Sequence, residues 1–312
     1  MTSKQLLRLA AVLALVLVLW GAVALASRRG SDDRSIIPQL DTSKIDTVAI
    51  TAPGDTAVLV RTGDKKIPWR VNGHPADTQV VKELLTGLAD PNARSELVAQ
   101  NPGSHGRLQV TDDSGKRVRV VEEGRTHLTL VAGKPATGGE GVYVRRAGEP
   151  AVYVIGGDLA RAITRRGDEW RNHMISGVLP DSVGSIEIRR GSRSYMLRRK
   201  GTGWVFATGA AADSAAVAGL LGSYREIRAD GFGTKTQLDS LRFAKPRRST
   251  RLLRRDGAPL LSLAFDSIAS GLWVRLTKVG QQTDGSKDAE VFRLESWTAD
   301  QLTPADSSLR RK

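Results

Sequence analysis

The sequence contains no cysteine among its 312 residues, which excludes disulfides, thiolate metal sites, iron–sulfur clusters and a cysteine nucleophile. Histidine is scarce too, and the four histidines stand more than 20 residues apart: His74, His105, His127 and His173. None has a second histidine or a carboxylate at the i+4 spacing of helix-borne metal sites. We therefore predict no metal and no cofactor.

The sequence also lacks the common catalytic and nucleotide-binding motifs. There is no P-loop, no G-x-G-x-x-G after a strand and no G-x-S-x-G elbow. Carboxylate pairs occur at Asp112-Asp113 and Glu122-Glu123, but adjacent strand residues point to opposite faces and are poorly placed for joint acid–base work. We predict no catalytic residue and expect a protein that is not an enzyme.

Basic residues are abundant, with 47 Lys+Arg against 33 Asp+Glu and a formal net charge of +14. Nucleic-acid binding requires basic side chains gathered on one face, with aromatics between them. Here arginine pairs recur along the chain, and neighbours on a strand diverge. We therefore predict no nucleic-acid partner and favour an anionic lipid or envelope surface.

The N-terminus carries 18 consecutive uncharged residues, 9–26, dominated by Leu, Val and Ala. As a helix they extend about 27 Å, close to the hydrocarbon thickness of a bilayer. A cleaved signal peptide is the alternative, because Ala24-Leu25-Ala26 resembles a cleavage site. We favour the anchor, which predicts a single-pass inner-membrane protein with its bulk in the periplasm.

An internal duplication is the clearest pattern in the remaining chain. Residues 77–88 and 213–224 align without a gap at an offset of 136, and each segment begins with a capping Asp before an amphipathic helix. A Trp precedes each Asp by eight or nine residues. The predicted structural core of the repeats is Trp69, Asp77, Leu84, Leu85, Trp204, Asp213, Leu220 and Leu221.

Short alternating runs follow each predicted helix. Strand runs with one long helix per unit predict an α+β fold, a tandem duplicated module of mostly antiparallel strands with one main helix per repeat, preceded by an N-terminal transmembrane helix. The predicted divisions are a tail (1–8), the transmembrane segment (9–26), a linker (27–43), the first module (44–168), a connector (169–180), the second module (181–305) and a basic tail (306–312).

Trp170 and Arg171 form the most suggestive partner-binding pair. An amphipathic Trp beside an Arg is typical of interface hot spots. The alternative is a structural latch between the two halves. We predict a partner interface at these two residues.

Four stretches together carry a resemblance to a known family: residues 69–77, 96–102, 142–155 and 168–172. They resemble the domain of unknown function 4340 family. The resemblance implies an N-terminal membrane helix, a tandem extracytoplasmic module and an association with ABC-type transport components of the kind linked to gliding motility. It implies no established activity.

These observations predict a non-enzymatic binding or scaffold protein, an auxiliary subunit of an ABC-type transport system. Docking would use exposed strand edges or the Trp170–Arg171 region. An envelope hydrolase and an anionic-ligand-binding module remain the alternatives.

Overall fold

The computed structural model describes residues 36–90, 95–139, 141–278 and 291–311. The chain divides into two compact units, Met1–Arg171 and Asn172–Lys312. Each unit has a large antiparallel sheet and a hydrophobic core of its own.

The first unit is built on a nine-stranded sheet with the order β4-β3-β2-β1-β6-β7-β8-β9-β5. Its strands are β1 (Ile45–Ala52), β2 (Asp55–Arg61), β3 (Trp69–Val71), β4 (His74–Pro75), β5 (Ser95–Ala99), β6 (Lys116–Glu122), β7 (Arg125–Pro135), β8 (Val142–Arg146) and β9 (Val152–Ile155). Its helices are α1 (Thr78–Ala89), α2 (His105–Leu108) and α3 (Gly157–Thr164), with 3-10 turns at Pro102–Ser104 and Gly167–Trp170.

The second unit has an eight-stranded sheet, β13-β12-β11-β16-β17-β18-β19-β15, and a small β10-β14 sheet. Its strands are β10 (Met174–Ser176), β11 (Ser185–Arg190), β12 (Arg193–Lys200), β13 (Gly203–Phe206), β14 (Ile227–Arg228), β15 (Gly231–Phe232), β16 (Arg248–Leu253), β17 (Pro259–Ile268), β18 (Gly271–Lys278) and β19 (Val291–Leu294). Its helices are α4 (Ser214–Arg225), α5 (Lys235–Ser240) and α6 (Ser296–Leu302), with 3-10 turns at Pro180–Ser182 and Asp306–Leu309.

The two large sheets share one strand order. Reading β3-β2-β1-β6-β7-β8-β9-β5 in the first unit matches β13-β12-β11-β16-β17-β18-β19-β15 in the second. In both units three consecutive strands, followed in the first unit by the two-residue β4, lead into a long helix, and the next strand of the large sheet lies at its far edge. The two units therefore repeat one topology.

The long helices begin at equivalent aspartates. Oδ1 of Asp77 accepts the amides of Gln79 at 2.9 Å and Val80 at 3.3 Å. In the second unit, Oδ1 of Asp213 accepts two amides at 2.9 and 3.1 Å from the first turn of α4. Such caps satisfy amides that the helix itself leaves without partners.

Each sheet is covered on one face by helices and on part of the other by a smaller cluster. In the first unit α1 and α3 lie over the main core, and Leu108 and Val110 pack on the opposite face. In the second unit Leu241 and Phe243 take that role against Trp273. Antiparallel sheets often carry their main core on one face only.

The predicted α+β fold with one main helix per repeat is wrong, and the transmembrane helix predicted before it falls on residues outside the described ranges. The described chain is mostly antiparallel sheet, and short helices (α2, α3, α5 and α6) accompany the two long ones. Strands of two to five residues, such as β4, β14 and β15, hold too few residues to show a period. The sequence pattern therefore understated the share of sheet.

The predicted location, a single-pass inner-membrane protein with its bulk in the periplasm, is also corrected. Among the described residues, no helix has both the length and the apolar character needed to cross a membrane. The predicted segment, residues 9–26, lies outside the described residues.

Candidate binding surfaces

The predicted interface residues Trp170 and Arg171 lie in a segment that closes the first unit. The carbonyl of Trp170 accepts the amide of Asp77 at 2.8 Å, and Arg171 forms a β-bridge with Ala76. The Trp170 side chain is fully buried in the main core. Its indole is therefore not accessible to a partner, and the half-buried Arg171 is the accessible member of the pair.

The second unit has the same closure at its C-terminal end. The carbonyl of Leu309 accepts the amide of Asp213 at 2.9 Å, and Arg310 bridges to Ala212. Arg310 also donates to the Asp306 carboxylate, which lowers the pKa of Asp306. The repeated geometry makes a structural role the simplest account of the Trp170–Arg171 backbone.

Lys116 ties the end of α3 to the first sheet. Its Nζ donates to the carbonyls of Arg165 at 2.6 Å and Thr164 at 3.3 Å, and lies 3.8 Å from Asp55 Oδ2. Burial lowers the pKa of Lys116, while Asp55 and Glu169 oppose that shift. The ammonium group supplies partners for carbonyls that the helix end leaves open.

The two predicted core tryptophans are buried, and an arginine side chain lies over the ring of each. Arg61 lies 4.6 Å from the ring centroid of Trp69, and Arg199 lies 5.6 Å from that of Trp204. Both indoles belong to main cores and are 5% exposed. Neither ring offers a free face for stacking a ligand.

The four predicted helix leucines lie toward the sheets. Leu84, Leu220 and Leu221 are buried, whereas Leu85 is half-buried and lines an apolar groove of about 670 Å³ beside Trp69. These positions form the apolar face of each long helix.

The histidines have structural partners. His105 Nε2 contacts the Pro150 carbonyl at 2.8 Å, and His173 Nδ1 contacts the Ala229 carbonyl at 2.9 Å. In the part of the chain that the structure describes, no group of three His, Asp or Glu side chains could hold a metal ion.

The edge of the first sheet at β5 is an exposed surface. The sequence predicted docking at exposed strand edges without identifying this strand. β5 is the last strand of the sheet, and among the described residues it pairs with β9 alone. Leu97 is 41% exposed and Val98 is 42% exposed. Large apolar side chains on an unpaired edge are uncommon, because such edges invite pairing with another chain. The only sequence signal is the short apolar run inside residues 95–99.

A second surface is formed by arginines of the second unit that belong to pairs spread along the sequence. Arg198, Arg199, Arg254 and Arg255 line one groove. The rule that neighbours on a strand diverge does not apply to Arg254 and Arg255, because both follow the end of β16 and enter a turn. The sequence places them near Asp256-Gly257, a turn signal, but cannot show which strand lies beside that turn.

The described residues form two repeated units, each built on a mainly antiparallel sheet, and hold no cluster of metal ligands. The protein is thus a tandem repeat of β-sheet modules. The family described as a domain of unknown function (DUF4340) matches residues 69–246, more than half of the chain. The chain belongs to this family, as the resemblance in its sequence predicted. No curated protein and no solved structure matches the chain.

Proposed function

We propose that this protein is a non-enzymatic binding or scaffold protein that docks a partner chain along the free edge of its first sheet. The single observation that supports this proposal is β5, an edge strand with two neighbouring apolar side chains exposed to solvent. An extended segment of a partner can add to such an edge, with backbone hydrogen bonds giving affinity and side chains giving specificity.

The other edges of the large sheets are blunted. β4 has two residues and includes Pro75, which has no amide to donate. β15, the counterpart of β5 in the second unit, also has two residues. β13 is bridged by Ala211 at its outer side. Short strands, proline, covering segments, bulges and charged side chains are the usual protections of an edge. β5 has five residues and no proline, and its protection among the described residues is partial: its pairing has a bulge between Leu97 and Ala99, Glu96 is exposed, and Ser95 Oγ accepts the amide of Ile36 at 3.3 Å. Leu97 and Val98 nevertheless stay exposed.

We propose further that the partner is a component of an ABC-type transport system, to which this chain is an auxiliary subunit. This step rests on what the family resemblance implies, an association with components of that kind. The exposed apolar edge is compatible with it, because auxiliary subunits act by docking. The alternative of an envelope hydrolase has no observation in its favour among the described residues.

The experiment compares three forms of the full chain in co-purification with ABC-type transport subunits under mild solubilisation. Leu97→Lys/Val98→Lys places charges on the edge, which native sheets use to block pairing. The matched control is Val60→Lys, because Val60 is 43% exposed but lies on β2, between β1 and β3. We expect capture by the wild-type chain and the control, and at least about tenfold less capture by the edge variant.

Recovery of no transport subunit by the wild-type chain would contradict the proposed partner. Equal capture by the edge variant and the wild-type chain would contradict the proposed edge. Hydrogen exchange gives a direct second readout, because strand addition must protect amides within Ser95–Ala99 when the partner is present.

A further inference from the structure

The second unit carries a groove of about 640 Å³ where β11 begins. Small residues form its floor and arginines stand on both sides. Its lining includes Gly184 and Ser185, with Arg198 and Arg199 on one side and Arg254 and Arg255 on the other. We call this feature the arginine groove.

The strand register explains why the arginines face each other. Ser185 pairs with Arg198 of β12 on one side and with Leu253 of β16 on the other. Neighbouring strands lie about 4.8 Å apart, so Arg198 and the end of β16 stand about 10 Å apart with a serine between them. Ile186 and Leu197 are buried in the core, so Ser185 and Arg198 face away from it.

Gly184 allows the arginine-bearing turn to lie against β11. A Cβ atom at Gly184 would stand 2.5 Å from the backbone nitrogen and Cα of Arg255, closer than packed atoms approach. The turn after β16 is closed by the amide of Arg254, which donates to the carbonyl of Ala258 at 2.7 Å. The position of Arg254 and Arg255 beside the groove floor is thus fixed by backbone contacts.

Three of the four arginines have no acidic partner among the described residues. Arg198, Arg254 and Arg255 form no ion pair with any carboxylate that the structure describes. Arg198 Nε contacts only the sulfur of Met196, at 3.1 Å. Their guanidinium groups are exposed and remain available to an external anion.

The carboxylates near the groove contact other groups, and one of them pairs with a groove arginine. Glu187 lines the groove but lies 3.9 Å from Arg251, and Asp181 lies 3.6 Å from Arg199. Asp256 accepts the amide of Ala258 at 2.9 Å within its own turn. Four arginines against Glu187 in the lining, with Asp181 beside Arg199, leave the groove with an excess of positive charge.

We propose that the arginine groove binds a phosphate group, carried by a soluble phosphorylated ligand or by a lipid headgroup. The planar guanidinium presents paired donors that match phosphate oxygens, and arginines on two sides can grip one phosphate or two linked phosphates. Because the arginines are exposed, binding weakens as salt rises. This site is independent of the β5 edge, which lies on the other unit.

The test uses the full chain with two probes. Inorganic pyrophosphate, titrated calorimetrically, represents the soluble source, and phosphatidylcholine vesicles with and without phosphatidic acid represent the headgroup. Arg254→Gln/Arg255→Gln removes two charges from the groove. The matched control, Arg189→Gln/Arg247→Gln, removes two exposed charges near the opposite end of β11, where the structure describes no ion pair for either residue.

We expect the groove variant to lose at least about tenfold in affinity for the probe that binds, and the control to lose less than about twofold. Binding of pyrophosphate identifies a soluble ligand, and binding only to phosphatidic acid vesicles identifies a headgroup. Equal losses in both variants would mean diffuse surface charge and would overturn the proposal. Failure of the wild-type chain to bind either probe would overturn it as well.

Discussion

The buried pair Tyr224 and Thr250 offers a sharp test of how the second unit is held together. The Tyr224 hydroxyl lies 2.8 Å from Thr250 Oγ1 and donates to the carbonyl of Leu302, at the end of α6. Both side chains are essentially inaccessible to solvent. At the equivalent positions, the first unit has the apolar residues Leu88 and Val118. The two units therefore differ at this position: the second unit has a hydrogen-bonded polar pair where the first unit has two apolar side chains.

The structure predicts an unusual order of stabilities. Tyr224→Phe leaves both the Thr250 hydroxyl and the Leu302 carbonyl without this partner, so we expect a loss of about 2 kcal/mol in the free energy of unfolding. Thr250→Val removes one donor to the tyrosine oxygen and should cost about 1 kcal/mol. The double variant leaves only the Leu302 carbonyl unpaired. It should therefore be more stable than Tyr224→Phe alone.

Urea unfolding followed by tryptophan fluorescence and circular dichroism measures these changes, with each unit's transition fitted separately if two appear. Tyr153→Phe is the control for loss of a tyrosine hydroxyl, since the structure describes no hydrogen bond from that group. Simple additivity of the two single changes would refute the hydrogen-bond argument, because residues in contact should couple.

The same pair makes a prediction about alkaline pH. Burial raises the pKa of Tyr224 well above its usual value of about 10. Above pH 10 the unfolded chain loses this proton while the folded chain keeps it, so the folded state binds more protons and stability falls as pH rises. Tyr224→Phe should flatten that decline; an unchanged slope would show that other groups control it.

Other expected outcomes follow from local contacts. Gly87→Ala should destabilise the first unit in thermal unfolding despite better helix propensity, because its Cβ would meet the Leu159 backbone at 2.7 Å. Gly222→Ala, with no atom within 4 Å of its Cβ, should instead stabilise by about 0.5–1 kcal/mol, and a loss there would refute the packing argument. Asp77→Ala should cost about 1 kcal/mol in urea unfolding by removing a cap, whereas Asp77→Asn should cost much less. Lys116→Met should destabilise through the lost carbonyl contacts of α3, with the loss read from proteolysis of residues 157–171; unchanged protection would contradict it.

Features set by local chemistry could be predicted from the sequence. The capping role of Asp77 depends on residues within three positions of it, and that spacing is visible in the chain. Sheet pairing depends on contacts between distant residues. The place of β5 at the edge follows from its pairing with β9, more than 50 positions away. The spacing of apolar residues along one strand does not show which distant strand it pairs with. The sequence therefore predicted exposed strand edges in general and could not identify β5 as one of them.

The arginine groove shows where residue spacing alone does not predict the direction of basic side chains. Alternation along a strand separates neighbouring side chains, and that argument holds for Arg198 and Arg199 within β12. The alternation argument fails where a strand ends. Arg254 and Arg255 lie beyond the end of β16, so their directions depend on the turn that packs against Gly184. The directions of two neighbouring basic side chains can therefore be inferred only when their position relative to the end of the strand is known. In this protein Arg198 shares the outer face of the sheet with Ser185, Arg199 lies over Trp204 on the core face, and the turn after β16 brings Arg254 and Arg255 to the same groove as Arg198.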